Sequence, residues 1–397
     1  MRKIGSDQLI EANVVLKHIA RQRGQSAAGP RVRERPSLKD MEIFDVAIVG
    51  GGPAGSVCAT FCAAAGLRAV VIEREKFPRE KVCGDCLNPE CWPILRRLGI
   101  DQRVRESPHA RLASVALIGL HDQCIEIELP QGEDAEIAIK RSVFDGLLLD
   151  HARQRGAEIR ETNTLVSLEK ASGDWKLTIA DGSACRAQVL VAADGRNSTV
   201  ARLCGLLPHI EKERVALQAH ISLPRDFGNR VVLQLLPGGY SGQAPVNESE
   251  LNLCLVGKPK SIRTLQKWAI ERFALSAGQQ WRTITPLTRA PVPPAHGNLL
   301  FAGDAARVVE PFTGEGIFYA LRAGVLAATA ATRMVQEDSA DAAAEYAAQH
   351  SAMYRGRLWI NDLARSAVVS PKLGSILLDF GRFQPALLRF LTRKIVR

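Results

Sequence analysis

A glycine pattern at the junction of a strand and a helix constrains the fold of this 397-residue chain more than any other feature. The apolar run 44–49 predicts a buried strand, and the small residues of 53–65 predict a helix. Between them, Gly50, Gly52 and Gly55 follow the spacing G-x-G-x-x-G. In such a motif the first glycine permits a tight turn, the second admits a diphosphate, and the third lets helix and strand pack closely. The pattern predicts a nucleotide-binding β–α–β unit.

An acidic residue follows the second predicted strand, at 69–72. Glu73 lies 23 residues after Gly50, with Arg74 beside it. A carboxylate at this distance accepts hydrogen bonds from an adenosine ribose, and its charge disfavours a 2′-phosphate. Pro53 and Ala54 open the predicted helix, whose free N–H groups and dipole favour phosphate binding. The motif alone fits FAD and NAD equally well.

Two later segments distinguish these nucleotides. They are the run VAADGRNS at 191–198 and the segment from Phe301 to Ile317, which contains FAGDAA and PFTGEGI. With these three ordered motifs the chain resembles the FAD-dependent oxidoreductases typified by aromatic-ring hydroxylases, geranylgeranyl reductases and flavin-dependent halogenases. The resemblance covers roughly residues 42–335. It implies a non-covalently bound FAD, with NAD(P)H as the co-substrate.

The resemblance also implies roles for individual residues. Asp304 is suited to accept hydrogen bonds from ribityl hydroxyls, and the turn at 313–316 would begin a buried helix whose dipole stabilises reduced flavin. Arg141 matches a family arginine that contacts FAD, and Val166 would face the adenine. The predicted cofactor-binding residues are Gly50, Gly52, Pro53, Ala54, Gly55, Glu73, Arg74, Arg141, Val166, Asp194, Gly195, Gly303, Asp304, Thr313, Gly314, Glu315, Gly316 and Ile317.

The expected fold class is α/β, with a Rossmann-like FAD-binding domain built on a mostly parallel sheet. The domain is expected at 41–335 and to be discontinuous, with a mainly antiparallel substrate-binding sheet inserted at about 105–135 and 205–295. Residues 1–40 are expected to form a disordered basic extension, and 336–397 basic helices. No second glycine fingerprint is present, which disfavours reductases with a separate NAD(P)H domain.

A cysteine-containing loop follows the second strand. Its Cys83-Gly84 pair matches a pair that geranylgeranyl reductases carry near the substrate side of the flavin, so Cys83 is a candidate catalytic residue. A small buried thiol without a role is an equal alternative. Zinc is disfavoured because Cys83 and Cys86 lack a second Cys/His pair at suitable spacing. An odd count of nine cysteines favours reduced thiols, and no metal site is expected.

The net charge of +10 is concentrated at the two ends of the chain. Residues 1–40 carry nine Lys/Arg against four Asp/Glu, and residues 351–397 carry nine against two. Basic ends suit an anionic membrane surface or an acidic protein, although solvated tails are the simpler interpretation. No nucleic-acid motif accompanies the charge. A cytoplasmic location, with peripheral membrane contact as an option, is expected.

Several functions fit these features. The first is an NAD(P)H-driven FAD monooxygenase that hydroxylates a hydrophobic or aromatic substrate. The second is a geranylgeranyl-reductase-like enzyme that saturates C=C bonds of a lipid or carrier-bound substrate. Flavin-dependent halogenation is disfavoured because the segment WRTITP at 281–286 has only one of the two tryptophans of the family's W-x-W-x-I-P signature. An FAD-bound scaffold without turnover is the alternative from another class.

Overall fold

The computed structural model describes residues 41–208, 214–309 and 314–356. The expected extension at 1–40, Thr313 and the end of the C-terminal region at 357–397 lie outside the described residues. The strands are β1 (Glu42–Val49), β2 (Ala69–Ile72), β3 (Cys86–Leu87), β4 (Ala110–Arg111), β5 (Ser114–Ile118), β6 (Cys124–Glu128), β7 (Ile137–Ala138), β8 (Glu158–Arg160), β9 (Leu165–Ala171), β10 (Asp174–Ile179), β11 (Ala184–Ala192), β12 (Val215–Ser222), β13 (Arg230–Leu236), β14 (Gly239–Pro245), β15 (Glu250–Gly257), β16 (Arg282–Ile284), β17 (Ala295–His296) and β18 (Leu299–Phe301). The helices are α1 (Pro53–Ala64), α2 (Trp92–Leu98), α3 (Asp101–Glu106), α4 (Arg141–Gln154), α5 (Thr199–Leu203), α6 (Ile262–Arg272), α7 (Gly316–Gln336) and α8 (Ala342–Met353).

The larger sheet contains the predicted β–α–β unit. Its strands lie in the order β17-β18-β11-β1-β2-β8, and β10 and β9 extend it from β11. The neighbours from β18 to β8 are parallel. Side chains of β1 alternate, so that Val46 and Ile48 pack beneath α1 and α7 while Ala47 and Val49 face Trp175 on the other side. The predicted α/β class is confirmed.

A second sheet lies next to the first in the same compact unit. Within the described ranges its seven strands have the order β16-β12-β15-β14-β13-β5-β6, and all pairs except β13–β5 are antiparallel. The face of β13 that contains Val232 packs into an apolar core with Leu265 of α6. Leu233, one residue further along β13, faces a cavity on the opposite side. The sheet thus separates its own core from a pocket.

A short three-stranded sheet, β3-β7-β4, joins the cysteine loop to the chain that enters α4. Its Leu87 and Ile137 pack with Val57 of α1, and Ala138 of β7 packs with Ala244 of β14 in the second sheet. This small sheet brings residues 86–88 close to residue 136, a proximity that the sequence pattern did not reveal. None of the described helices is long and apolar enough to cross a membrane.

Most predicted elements agree with the structure within two or three residues, including β1, α1, β2, α4 and the buried helix α7. Gly239 and Tyr240 begin the interior strand β14, a segment to which the sequence analysis assigned no strand. The sequence interpretation also assigned no helix to the segments that form α2, α3 and α6. Pairing with β13 and β15 on both sides holds β14 extended despite its glycines.

Candidate cofactor and substrate site

The glycine turn after β1 has the geometry its motif predicts. Gly50 has φ +101°, and a Cβ there would lie 2.5 Å from the Ala193 carbonyl oxygen. A Cβ on Gly55 would lie 1.9 Å from the Gly50 oxygen, so helix and turn pack without room for a side chain. A Cβ on Gly52 would meet only the Arg79 guanidinium, at 3.5 Å. The space in front of the helix is therefore open and bounded by a cation.

The carboxylate of Glu73 supports this turn. Its Oε2 accepts a hydrogen bond of 2.6 Å from the Gly51 N–H, and its Oε1 accepts one of 2.8 Å from the Glu75 N–H. Glu73 is 5% exposed. The side chain thus fixes the position of the glycine loop, and its remaining lone pairs stay available for the predicted ribose contact.

Two arginines share one buried carboxylate beside the turn. Arg141 at the start of α4 makes a bidentate pair with Asp145, at 2.7 and 2.8 Å, and Arg79 lies 3.0 Å from the same carboxylate. Burial lowers the pKa of the Arg141 guanidinium, but Asp145 and the Cys83 thiol outweigh burial and hold it above its usual value. The Arg141 guanidinium therefore stays charged, and Arg79 borders the open space at Gly52.

Asp304 is the carboxylate of the third motif, and it stays ionised. It follows Gly303, whose φ of +60° favours glycine, and its Oδ2 lies 3.3 Å from Arg196 Nη2. Burial raises the pKa of Asp304, but nearby cations outweigh it and hold the pKa below its usual range. These cations are Arg196, Lys81, Arg141 and Arg289. An ionised carboxylate accepts hydrogen bonds from sugar hydroxyls strongly.

The helix α7 begins at the same cavity. Gly314 has φ +69°, and Gly314, Gly316 and Ile317 line the cavity wall. The positive end of a 21-residue helix is thereby directed at the space between Gly52 and Asp304. The open diphosphate cradle, the ionised Asp304 and this helix end together fit an FAD molecule.

The cysteine loop is clamped from the second sheet. The carbonyl oxygen of Cys83 accepts hydrogen bonds from Gln218 Nε2 at 2.9 Å and Asn252 Nδ2 at 2.8 Å, and the Cys254 thiol lies 3.3 Å away. Its thiol lies within hydrogen-bonding range of Arg141. The predicted catalytic candidate is therefore held in a defined position on the cavity wall.

A buried hydrogen bond holds the same loop in place one residue beyond Gly84. Asp85 has φ +61° and is fully buried, and its Oδ2 lies 2.8 Å from His220 Nε2. Burial raises the pKa of Asp85, although His220 lowers it in part. His220 therefore helps to hold this loop in place.

One cavity is lined both by the cofactor motifs and by the second sheet. The sheet wall is mainly apolar, and Gln243, Asn252 and Cys254 are its polar and thiol members. Its other members are Val115, Leu117, Ile127, Ala216, Val231, Leu233, Tyr240, Gly242, Ala244, Val256, Ile284 and Leu287. Tyr240 lines the cavity as part of β14. Such a wall can hold a large apolar ligand against the cofactor region.

The structure brings most of the predicted site residues to this cavity. Those that line it are Gly52, Pro53, Ala54, Cys83, Arg141, Gly195, Gly303, Asp304, Gly314, Gly316 and Ile317. Asp194 instead caps α5 by accepting hydrogen bonds from the Thr199 and Val200 N–H groups, at 2.6 and 3.1 Å. Glu315 is buried and accepts a hydrogen bond of 3.3 Å from the Tyr319 hydroxyl. Val166 is 47% exposed on β9, and the exposed Arg74 pairs with Glu75, so their cofactor roles stay predictions.

Sequence reasoning missed several polar groups of the site. Arg79 and Arg289 became visible only through their contacts with Asp145 and with the carbonyls around Asp304. Glu136 and Asn88 also line the cavity, although no motif marks them. Glu136 lies in the apolar alternation of 135–139, where an acidic residue at a buried position was the available signal.

Comparison with known proteins identifies the relatives of this chain. A family model described as an FAD binding domain matches residues 43–224. The menaquinone reductase of Mycolicibacterium smegmatis is 30% identical over 319 residues, which are 72% of this chain and 75% of that protein. The digeranylgeranylglycerophospholipid reductase 1 of Methanopyrus kandleri is 27% identical, over 75% of this chain and 83% of that protein. Conditioned medium factor receptor 1 of Dictyostelium discoideum is 28% identical over 76% of this chain, which spans 66% of that protein's length.

Solved structures share the fold. The flavin-dependent brominase Bmp2 superimposes with a TM-score of 0.73 at 21% identity, covering 88% of this chain and 93% of that one. PqsL, described as a probable FAD-dependent monooxygenase from Pseudomonas aeruginosa, superimposes with a TM-score of 0.71 at 18% identity, covering 85% of this chain and all of that one. At these identities the likeness concerns the fold.

Proposed function

This chain belongs to the superfamily of FAD-dependent oxidoreductases that includes aromatic-ring hydroxylases, geranylgeranyl reductases and flavin-dependent halogenases, and from that premise we propose that it reduces a carbon–carbon double bond in the isoprenoid chain of a lipid. The observation that carries the proposal is the single cavity in which cofactor motifs meet an apolar sheet wall. The two reductase relatives support an isoprenoid substrate, because the lipids in their names carry isoprenoid chains.

The chemistry divides between the cofactor and the protein. When bound, reduced FAD supplies a hydride to one carbon of the double bond, and NAD(P)H is the proposed source of its electrons. The protein holds the cofactor through the turn at Gly52, the ionised Asp304 and the amino end of α7. The apolar side chains of the second sheet exclude water and align the isoprenoid chain. The protein thus supplies the binding and the orientation of the substrate. These determine which double bond reacts.

The second carbon of the double bond needs a proton, and Cys83 is the proposed donor. Its thiol lies on the cavity wall between the cofactor motifs and the second sheet, and the clamp on its carbonyl fixes the loop. In Cys83→Ala the proton must come from water, so we expect turnover to fall about a hundredfold, within the usual range for a positioned acid. FAD content should be unchanged, and Cys124→Ala, at an exposed cysteine outside the cavity, should behave as the wild type. Equal turnover of Cys83→Ala and the wild type would refute this role.

An anaerobic single-turnover experiment tests the proposal. The holoprotein is reduced with dithionite, mixed with a geranylgeranyl ether of glycerol, and followed at the flavin absorption band. We expect lipid-dependent reoxidation of the flavin and a product two mass units heavier, the addition of two hydrogens. No anaerobic reoxidation with this lipid or with a prenylated naphthoquinone would contradict the proposal.

Hydroxylation, the reaction favoured by the sequence interpretation, predicts the opposite outcome. A monooxygenase would leave its reduced flavin unchanged without O₂ and would add one oxygen atom to the product in air. The comparison of anaerobic and aerobic products therefore separates the two reactions in one sample. A prenylated quinone also accepts electrons at its ring, so the mass gain must persist after the ring is chemically reoxidised.

A further inference from the structure

We propose that Glu136 and Asn88 form a binding subsite for an uncharged oxygen of the substrate, such as a quinone carbonyl or an alcohol, at one end of the apolar cavity. This inference rests on the proposed function, because it assumes that the occupant of the cavity is a lipid with a polar end. It adds the substrate class that the cavity selects: isoprenoids whose head carries a neutral hydrogen-bonding oxygen.

The position of Glu136 is the first observation. The residue is 8% exposed and lines the cavity immediately before β7. Its backbone is fixed, since the Glu136 carbonyl accepts a hydrogen bond of 3.0 Å from the Leu112 N–H. None of the described residues forms a hydrogen bond with the Glu136 carboxyl. A polar group buried without a partner is costly, so one facing a cavity points to a ligand that satisfies it.

Asn88 supplies the second, independent observation. It is 4% exposed and lines the same cavity, and its Oδ1 accepts a hydrogen bond of 3.4 Å from the Cys91 thiol. That contact involves only the amide oxygen. The Nδ2 of the same amide is buried with no hydrogen-bond partner among the described residues. An unused N–H donor in a residue of the cavity wall fits an oxygen acceptor.

The surroundings make the subsite selective for neutral oxygen. Burial alone raises the pKa of the Glu136 carboxyl to about 7, and no charged neighbour contributes. The titratable groups that face it are the thiols of Cys86 on β3 and Cys91, and Glu90 lies beside Cys91. The cations among the described residues of this cavity, Lys81, Arg141 and Arg196, belong to the cofactor side. With its carboxyl protonated, the subsite offers two hydrogen-bond donors and no positive charge for an anionic head group.

The pH dependence follows from this titration. Below pH 7 the carboxyl is protonated and donates to the substrate oxygen. As the pH rises through 7 it becomes a carboxylate, which cannot donate and repels an oxygen lone pair. Loss of one such hydrogen bond corresponds to about a tenfold weaker affinity. Glu136→Gln keeps a donor of the same shape and cannot ionise, so its affinity should not change with pH.

Equilibrium binding to the oxidised holoprotein tests the subsite without turnover. The probe is 2-methyl-1,4-naphthoquinone carrying one isoprenoid unit, and squalene, which has no oxygen, is the reference ligand. We expect the quinone affinity of the wild type to fall about tenfold between pH 6 and pH 8.5 and squalene binding to stay constant. Glu136→Gln should show no pH effect, Asn88→Leu should bind the quinone about tenfold less tightly at pH 6, and Glu128→Gln, at an exposed glutamate of β6, should match the wild type.

Infrared difference spectra provide a direct readout of the carboxyl. Quinone binding at pH 6 should shift a protonated carboxyl band that is missing in Glu136→Gln. A quinone affinity that is independent of pH and of both substitutions would overturn the subsite. Quinone and squalene affinities that are equal at pH 6 would overturn it too, while double-bond reduction in the anaerobic experiment could still be observed. The two proposals can therefore fail separately.

Discussion

Asp304 illustrates how a charge is maintained inside a largely buried site. Its own burial favours protonation, but four cations hold its pKa low, and one of them, Arg289, also donates hydrogen bonds to the carbonyl oxygens of Asp304 and Ala305. A hydrogen bond from a hydroxyl group to an ionised carboxylate is stronger than one to a neutral acceptor. The surrounding cations thus keep the Asp304 carboxyl ionised, which is the form that accepts hydrogen bonds from sugar hydroxyls most strongly.

We therefore expect Asp304→Ala to bind FAD ten- to a hundredfold more weakly, corresponding to about 1.5–3 kcal/mol for a hydrogen bond to a charged group. Titration of the apoprotein with FAD, followed by flavin fluorescence, measures the change. The control is Asp174→Asn, which removes the 2.9 Å pair with Arg186 between β10 and β11, away from the cavity. Equal FAD affinities of Asp304→Ala and the control would contradict the assignment.

Glu136 makes stability depend on pH in a defined direction. Its pKa is about 7 in the folded state against a reference value of 4.5, so the folded protein binds more protons than the unfolded chain between these values. The contribution of Glu136 to the free energy of unfolding is fully present below pH 4.5 and is lost as the pH rises to 7. The loss corresponds to about 3 kcal/mol, from the free energy per pKa unit.

Urea unfolding of Glu136→Gln provides the measurement. The amide does not ionise, so at pH 8 the variant should be more stable than the wild type by up to about 3 kcal/mol, and at pH 4.5 the two should nearly coincide. A difference that is the same at both pH values would show that the Glu136 carboxyl is not held protonated by burial.

At the scale of elements, the helices α1 and α7 approach each other unusually closely. A Cβ on Gly324 would lie 2.5 Å from the Ala54 carbonyl oxygen and 3.0 Å from the Val57 Cβ. This contact places the amino end of α1 and the amino end of α7 at one cavity. Small residues at the interface therefore serve cofactor geometry as well as packing.

Gly324→Ala should push the two helices apart. The expected loss of unfolding free energy is about 1–3 kcal/mol, as for an overpacked core, and FAD affinity should fall because the diphosphate turn moves with α1. Gly146→Ala in α4 is the control: nothing lies within 4 Å of its Cβ, and alanine should raise stability by up to about 1 kcal/mol. Thermal unfolding with and without FAD distinguishes the variants; a stabilising Gly324→Ala would refute the close approach.

The elements also show what the sequence could predict. The β–α–β unit was predictable because its strands are continuous apolar runs and its glycines are spaced for one turn. Strand β14 was not, since GYSGQAP has low strand propensity, and hydrogen bonds from β13 and β15 determine its conformation. The Glu136–Asn88 pair was hidden for a related reason: the small sheet that brings them together consists of two-residue strands.

At the scale of the whole molecule, the sheet that carries the cofactor motifs and the second sheet are separate layers that line one cavity. Gly242 of β14 lines the cavity, and a Cβ there would have ordinary contacts with Leu233 and Cys254, at 3.6 and 4.0 Å. A larger side chain at this position would therefore extend over the sheet wall without disturbing the turn at Gly52.

Gly242→Leu should shorten the chain that the cavity accepts. We expect unchanged FAD affinity and a loss of kcat/KM of at least tenfold for a geranylgeranyl lipid, with a smaller loss for a geranyl analogue; a buried leucine excludes several methylenes. Gly278→Leu, on the surface away from the cavity, is the control. A parallel loss for both lipids would show that the second sheet does not select chain length.

The three hydrogen bonds on the Cys83 carbonyl have a practical consequence for protein engineering. Gln218 and Asn252 stand on strands β12 and β15 of the second sheet, yet they hold a loop that follows β2 of the first sheet. Transplanting residues 214–284 from a relative would therefore move the reactive thiol together with the pocket. A chimera that preserves these two amides should retain the alignment of its thiol while its lipid preference changes.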